Sequence, residues 1–142
     1  RRSGAAPTFE DAAIAATALD AVDRTGWTPY RGPLLARRGN ALAALAQRDP
    51  ARRDDLARQA VEAYRAAIPL LDRGGQTASA ARSRLDLGDL LLGAADPSAD
   101  MLREARAAYA AARDYARSRG DRPLEAHLDG RIARADAALA GR

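Results

Sequence analysis

An internal repeat constrains this chain more than any other feature of its sequence. Segment 60–67 (AVEAYRAA) returns as segment 105–112 (ARAAYAAA), so that Tyr64 and Tyr109 lie 45 positions apart. Each tyrosine follows a leucine-bearing segment with a glycine, RGNAL in the first case and LGDLL in the second. A two-helix unit that recurs in this way is typical of stacked helical arrays, because one unit cannot bury its apolar face alone. Such arrays more often bind other molecules than transform them.

The apolar spacing and the breakers predict six helices and no strand. Two Asp-Pro pairs, at 49–50 and 96–97, each look like an N-cap followed by proline at the first helical position. Thr8 is the expected N-cap of the first helix, and Pro69 is expected to bend or loosen the end of the third. The doublet Gly74-Gly75 is the clearest break. The predicted helices run over about 8–23, from near 33, and over about 49–72, 77–94, 96–119 and 123–140.

Composition bounds the class of protein. The chain of 142 residues fits one domain, has no cysteine and has few aromatic residues, 4% of the total, so thin-cored helices rich in alanine are expected without disulfides or thiolate metal sites. All 23 basic residues are arginine, against 19 acidic residues, for a net charge of +4. This balance suggests an acidic partner or nucleic acid. The acids are interleaved with the arginines, however, which favours a mixed, ion-paired surface.

No apolar stretch is long enough for a membrane span, and the two N-terminal arginines lack the apolar segment of a signal peptide. We therefore expect a cytoplasmic location. Because the sequence does not begin with methionine, we also expect it to be either a piece of a longer protein or a trimmed chain.

Catalytic chemistry finds little support in the sequence. His127 is the only histidine, and it has no second histidine or cysteine to complete a metal site and no nucleophile beside it. Asp86 and Asp89 share a helix face, but they lie among arginines, so ion pairing is their expected role. The glycine doublet at 74–75 lacks the remainder of a phosphate-binding loop. We expect no enzyme activity, no metal and no cofactor.

These segments resemble the tetratricopeptide repeat family. Its first helix carries Leu-Gly, which Gly39, Gly88 and more loosely Gly130 match. Its second helix carries Ala, an aromatic residue and Ala, and the matching positions here are Ala60, Tyr64, Ala67, Ala105, Tyr109 and Ala112. The resemblance implies an all-α, right-handed array of antiparallel helix pairs, in which small residues let the helices cross closely and the aromatic residue fills the space between repeats. It predicts a single domain over 1–142, with repeat units at about 33–74 and 77–120 and partial units at both ends.

The spacing departs from that family, whose usual period is about 34 residues, because Gly39 and Gly88 lie 49 positions apart. In its longer period the stretch from Gly39 to Ala67 more narrowly resembles repeats found beside CHAT (caspase-like) peptidase domains in bacterial signalling proteins. Those arrays are regulatory or sensory. Nothing in this chain resembles the peptidase domain itself.

In the tetratricopeptide repeat family the first helix of each unit lines a concave groove. Aligned on the glycines, the resemblance implies that the groove binds a protein or peptide segment, acidic or amphipathic, and that arginine forks hold its carboxylates. Three alternatives stay open: intramolecular pairing of these arginines, nucleic-acid binding through an arginine-rich face, and self-association of a structural segment. The predicted groove residues are Arg37, Asn40, Arg82, Asp86, Asp89, His127, Arg131 and Arg134.

Overall fold

The computed structural model describes residues 9–25 and 28–142 of the chain. These residues form six α-helices and one short 3₁₀ segment, Thr28–Tyr30, and no strand occurs among them. The predicted all-helical class and helix count are therefore confirmed. The expected N-cap Thr8 lies outside the described residues. The helices are α1 (Phe9–Thr25), α2 (Arg31–Arg48), α3 (Arg53–Arg73), α4 (Thr77–Leu92), α5 (Ala99–Ser118) and α6 (Arg122–Ala140).

The chain divides into two compact units at the glycine doublet. Unit 1 spans Arg1–Gly74 and unit 2 spans Gly75–Arg142. Gly75 has φ +72°, a left-handed conformation that a side chain would disfavour, which explains why the break falls on a glycine. In unit 1, α2 packs against both α1 and α3, and in unit 2, α5 packs against both α4 and α6.

A tyrosine packed on a glycine joins the central helix pair of each unit. A Cβ atom on Gly39 would lie 2.7 Å from Cε1 of Tyr64, and one on Gly88 would lie 2.6 Å from Cε1 of Tyr109. Both rings are almost fully buried, with 1% and 0% of their surface exposed. The resemblance implies an aromatic residue between repeats. The structure places each ring on the glycine of its own helix pair, because only there does the missing side chain leave room for it.

Around each tyrosine, alanine and leucine recur at helical spacing and are buried. The sequence pattern therefore correctly identified the packed faces of α3 and α5. Alanine occupies many of the buried positions, which lets the helices approach closely, and at the start of α2 a Cβ atom on Gly32 would come within 3.1 Å of the Cβ of Leu70. Besides the tyrosines, the buried residues are Leu56, Ala60, Val61, Ala63, Ala67 and Leu71 on α3, and Leu102, Ala105, Ala108, Ala112 and Ala116 on α5.

The two Asp-Pro pairs do not begin helices, and this prediction was wrong. Asp49 ends α2, where its backbone N–H donates to the carbonyl of Leu45, and α3 begins only at Arg53. In the second pair, Pro97 precedes Ser98, whose side chain accepts a hydrogen bond of 3.1 Å from the N–H of Met101 and caps α5. A capping oxygen must stand next to the first turn, and both aspartates lie too far upstream. Pro69 does not end α3, which continues to Arg73.

A ladder of ion pairs holds α6 against α5 in an antiparallel register. Only three residues of α6 are buried, Leu128, Ile132 and Ala135, so apolar contact alone is modest. Arginines of α5 form ion pairs with acids of α6 beside these buried residues. The hydrogen bond to Glu125 raises the pKa of Arg117. The ladder consists of Arg106–Asp136 at 2.5 Å, Arg113–Asp129 at 3.0 Å and Arg117–Glu125 at 2.6 Å.

The glycine–tyrosine contact predicts that substituting the glycine lowers stability, and a third glycine provides the control. Replacing Gly39 or Gly88 with alanine should lower the free energy of unfolding by about 1–3 kcal/mol, since the new methyl group overlaps a buried ring that cannot move away. Gly130, at the matched position of α6, has no atom within 4 Å of the place a Cβ would take. Gly130→Ala should therefore raise stability by about 0.5–1 kcal/mol, as expected for an open helix interior. Urea unfolding of the three variants tests this, and equal effects at all three glycines would contradict the packing.

Candidate functional site

The predicted groove residues fall in both units. Arg37 and Asn40 lie on α2 in unit 1, and the other six lie in unit 2. Three of those six, Asp89, Arg131 and Arg134, lie close enough to Tyr109 to act on its hydroxyl, and Arg82 and Asp86 form an ion pair beside Asp89. We call Arg82, Asp86, Asp89, Tyr109, Arg131 and Arg134 the polar cluster of unit 2.

Asp89 is the centre of this polar cluster. Its Oδ1 atom accepts the hydroxyl of Tyr109 at 2.6 Å and the Nε–H of Arg131 at 2.9 Å. One carboxylate oxygen thereby ties α4 to both α5 and α6. Burial and the hydrogen bond to Asp89 raise the pKa of Tyr109 well above its ordinary value, so this hydroxyl stays protonated and remains a donor at all physiological pH values. Asp89 and Arg131 are partly exposed, at 39% and 27% of their side-chain surface, and a ligand could still reach both.

Asp86 stands one helical turn before Asp89 on α4. It accepts the Nε–H of Arg82 at 3.3 Å, and its side chain is 23% exposed. Burial raises the pKa of Asp86 above its ordinary value, the charge of Asp89 raises it further, and Arg82 lowers it without cancelling the effect of burial. A half-buried carboxylate that stays charged at a cost to the fold is a feature of functional sites more often than of scaffolds.

Arg134 is the cation of the polar cluster without an acidic partner. It is exposed on α6 and forms no ion pair with any residue that the structure describes. Its charge reaches the hydroxyl of Tyr109, whose pKa it lowers in opposition to the larger effect of burial. His127 is exposed one turn before Arg131, and within the described part of the chain it has no hydrogen bond to the polar cluster. The sequence placed His127 in the groove, and the structure does not join it to the other residues.

Unit 1 contains a neutral counterpart of the same junction. The hydroxyl of Tyr64 donates to Oδ1 of Asn40 at 2.6 Å, as that of Tyr109 does to Asp89. Arg37, one turn earlier on α2, is exposed. The sequence reasoning treated both tyrosines as packing residues and missed their hydroxyls. The signal was nevertheless present, since Gly39 and Gly88 are each followed directly by a residue with a side-chain oxygen.

A separate cleft of about 280 Å³ lies within unit 1 between α1 and α2. Its floor is apolar and its rim carries charges of both signs. None of the predicted groove residues lines it, so the glycine alignment does not point to this cleft. Its lining residues are Ala16, Leu19, Asp20, Arg31, Leu35 and Arg38.

Metal-binding clusters and membrane-spanning helices are both absent from residues 9–25 and 28–142. No group of three or more His, Cys, Asp or Glu side chains there is arranged to hold a metal ion. No helix in the same ranges combines the length and apolar character that crossing a membrane requires.

Comparison with known proteins gives no relative for this chain. No protein-family model matches the sequence, and neither a curated protein nor a solved structure shows significant similarity to it.

The raised pKa of Asp86 predicts an unusual pH dependence. Its folded-state pKa lies above the unfolded value of 3.8, so the folded state holds the proton more tightly, and the ionised carboxylate reduces stability at neutral pH. Asp86→Asn should therefore raise the free energy of unfolding at pH 7. The difference should shrink as the pH falls through the folded pKa and vanish below 3.8, where the wild-type group is neutral in both states.

Urea unfolding of wild type and variant across this pH range makes the measurement. Asp114→Asn, on the exposed side of α5, removes the same charge outside the polar cluster and serves as the control. A loss of stability in Asp86→Asn at neutral pH would show that the ion pair with Arg82 outweighs the cost of burial.

Proposed function

We propose that this protein is a tetratricopeptide-like module, a right-handed array of helix pairs that binds a segment of a partner protein and regulates rather than catalyses. The repeated glycine–tyrosine contact supports the architecture, because two helix pairs separated by about one repeat are built around the same close approach. The single observation that carries the binding function is the polar cluster of unit 2. In it Asp89 accepts hydrogen bonds from both Tyr109 and Arg131, the Arg82–Asp86 pair lies beside Asp89 on α4, and Arg134 lies close enough to act on the tyrosine hydroxyl.

In the proposed complex, a carboxylate of the partner binds Arg134 first. Arg134 has no internal acid to displace, whereas Arg82 and Arg131 already bind Asp86 and Asp89. A guanidinium group presents parallel N–H donors that match the two oxygens of a carboxylate. The polar contacts would then fix the register of the partner segment, and its apolar side chains would supply affinity.

The internal ion pairs weigh against nucleic-acid binding. A protein that binds the phosphate backbone needs arginines free to neutralise it. Here many of the arginines are neutralised within the fold, both in the ladder between α5 and α6 and along single helices, as in the pairs Arg58–Asp55 and Arg65–Glu62. The count of 23 arginines therefore overstates the number of cations that are free to bind a polyanion.

A pull-down from host lysate, with nuclease treatment and a salt series, tests the proposed function. A protein that remains bound after nuclease and moderate salt supports the interaction module. Nucleic acid that is retained at low salt and lost steeply as salt rises would replace it with the basic-face alternative.

Charge reversal at Arg134 tests the site. Arg134→Glu should weaken binding of the captured partner about tenfold, which corresponds to about 1.4 kcal/mol, because it replaces the attraction of an unpaired cation with repulsion. Charge reversal at Arg82 or Arg131 should also weaken binding. Arg103→Glu, an exposed change near the start of α5, is the control that alters net charge equally. Calorimetric titration of each variant gives the affinities, and an unchanged affinity in Arg134→Glu would remove the polar cluster from the interface.

A further inference from the structure

The two tyrosine junctions have the same geometry and a different charge. Each tyrosine hydroxyl donates at 2.6 Å to Oδ1 of the residue that follows the packed glycine. That residue is a neutral amide in unit 1, Asn40, and a carboxylate in unit 2, Asp89. Since the amide makes the tyrosine hydrogen bond equally well, the negative charge of Asp89 is not needed to hold the helix pair together.

The charge of Asp89 acts instead on Arg131. The Nε–H of Arg131 binds the same Oδ1 atom that the tyrosine hydroxyl uses. The side chain of Arg131 is 27% exposed, so an incoming anion can reach it. What the carboxylate changes is the field at the guanidinium group, because a negative charge within hydrogen-bond distance offsets most of the attraction that Arg131 would exert on an incoming anion.

We propose that Asp89 is the specificity-determining residue of the groove, an internal carboxylate that occupies Arg131 and that an acidic partner must displace. This proposal rests on the proposed function. In the free protein the polar cluster then offers one cation without an acidic partner among the described residues, Arg134, and weakly acidic ligands gain too little to compete with Asp89. A segment with two suitably spaced carboxylates binds Arg134 and takes Arg131 from Asp89. Selectivity arises from the contact that the ligand must break as well as from those it makes.

The variant Asp89→Asn isolates the charge. Asparagine keeps an Oδ1 acceptor for the hydroxyl of Tyr109, as Asn40 does for Tyr64, so the helix pair should remain folded. We expect this variant to bind a labelled octaglutamate peptide roughly three- to tenfold more tightly than wild type, with a steeper salt dependence, because one more guanidinium becomes available.

Two further variants test whether the gain in affinity comes from Arg131 and not from the change in net charge. Asp114→Asn makes the same change in net charge on the exposed side of α5, and its affinity for the peptide should stay close to that of wild type. Adding Arg131→Gln to Asp89→Asn should abolish the gain. Fluorescence anisotropy of the labelled peptide measures all four proteins, and cooperative thermal unfolding confirms that each is folded.

A measurement on the wild-type protein needs no substitution. The Nε–H resonance of Arg131 should shift and exchange faster with water as the peptide is added, because a peptide carboxylate replaces Asp89. A resonance that is unchanged at saturation would overturn the proposal even if Asp89→Asn did not fold.

The possible outcomes distinguish a wrong role for Asp89 from a failure of acidic-segment binding. If wild type binds the peptide and Asp89→Asn binds it no more tightly, the role of Asp89 is wrong and the groove stands. An equal gain in Asp114→Asn would likewise reduce the effect to net charge and overturn the role of Asp89. If no folded variant binds the peptide, acidic-segment binding itself fails, and the role of Asp89 fails with it.

Discussion

The close contact of a tyrosine ring with a glycine is the interaction on which the rest of this structure depends. Only a residue without a Cβ atom lets the ring lie flat against the backbone of the neighbouring helix, at Gly39 in one unit and at Gly88 in the other. Once the ring is fixed there, its hydroxyl emerges beside the next residue of the glycine helix and finds an acceptor in Asn40 or Asp89. Packing and polar chemistry are therefore linked, because the contact that joins the helices also positions the residue that accepts the tyrosine hydroxyl.

In unit 2, ion pairs fix part of the helix packing that buried apolar side chains fix elsewhere in the structure. Helix α6 buries only three side chains, and its register against α5 follows from the antiparallel series of ion pairs that begins at Arg106–Asp136 and ends at Arg117–Glu125. Exposed pairs of this kind contribute about 0.2–1 kcal/mol each, so their main effect is to select one alignment among several that an alanine-rich surface would allow. They also remove arginines from the pool available to bind a partner.

The sequence predicted the six helices, the two repeated signatures and the break at the glycine doublet, since these depend on periodicity within a few residues. The starts of α3 and α5 were wrong because a capping pattern is local in the sequence while helix initiation depends on which oxygen reaches the first turn, as Ser98 does and Asp96 does not. The partners of the arginines that pair between helices could not be read from the sequence. Asp89 meets Arg131 across 42 positions, and nothing in either local pattern specifies that pairing.

The polar cluster differs from the corresponding junction of unit 1 in the residue that follows the packed glycine, which is Asp89 instead of Asn40. At the residue after the packed glycine, an amide suffices for the tyrosine hydrogen bond, as unit 1 demonstrates. A carboxylate there brings a second negative charge next to Asp86, whose ionised form burial already disfavours, and so adds an electrostatic cost that folding does not require. Three arginines stand around these two acids, and only Arg134 lacks an acidic partner among the described residues. A charge that the tyrosine hydrogen bond does not need, placed against the nearest cation, is what the proposed selection among ligands would require.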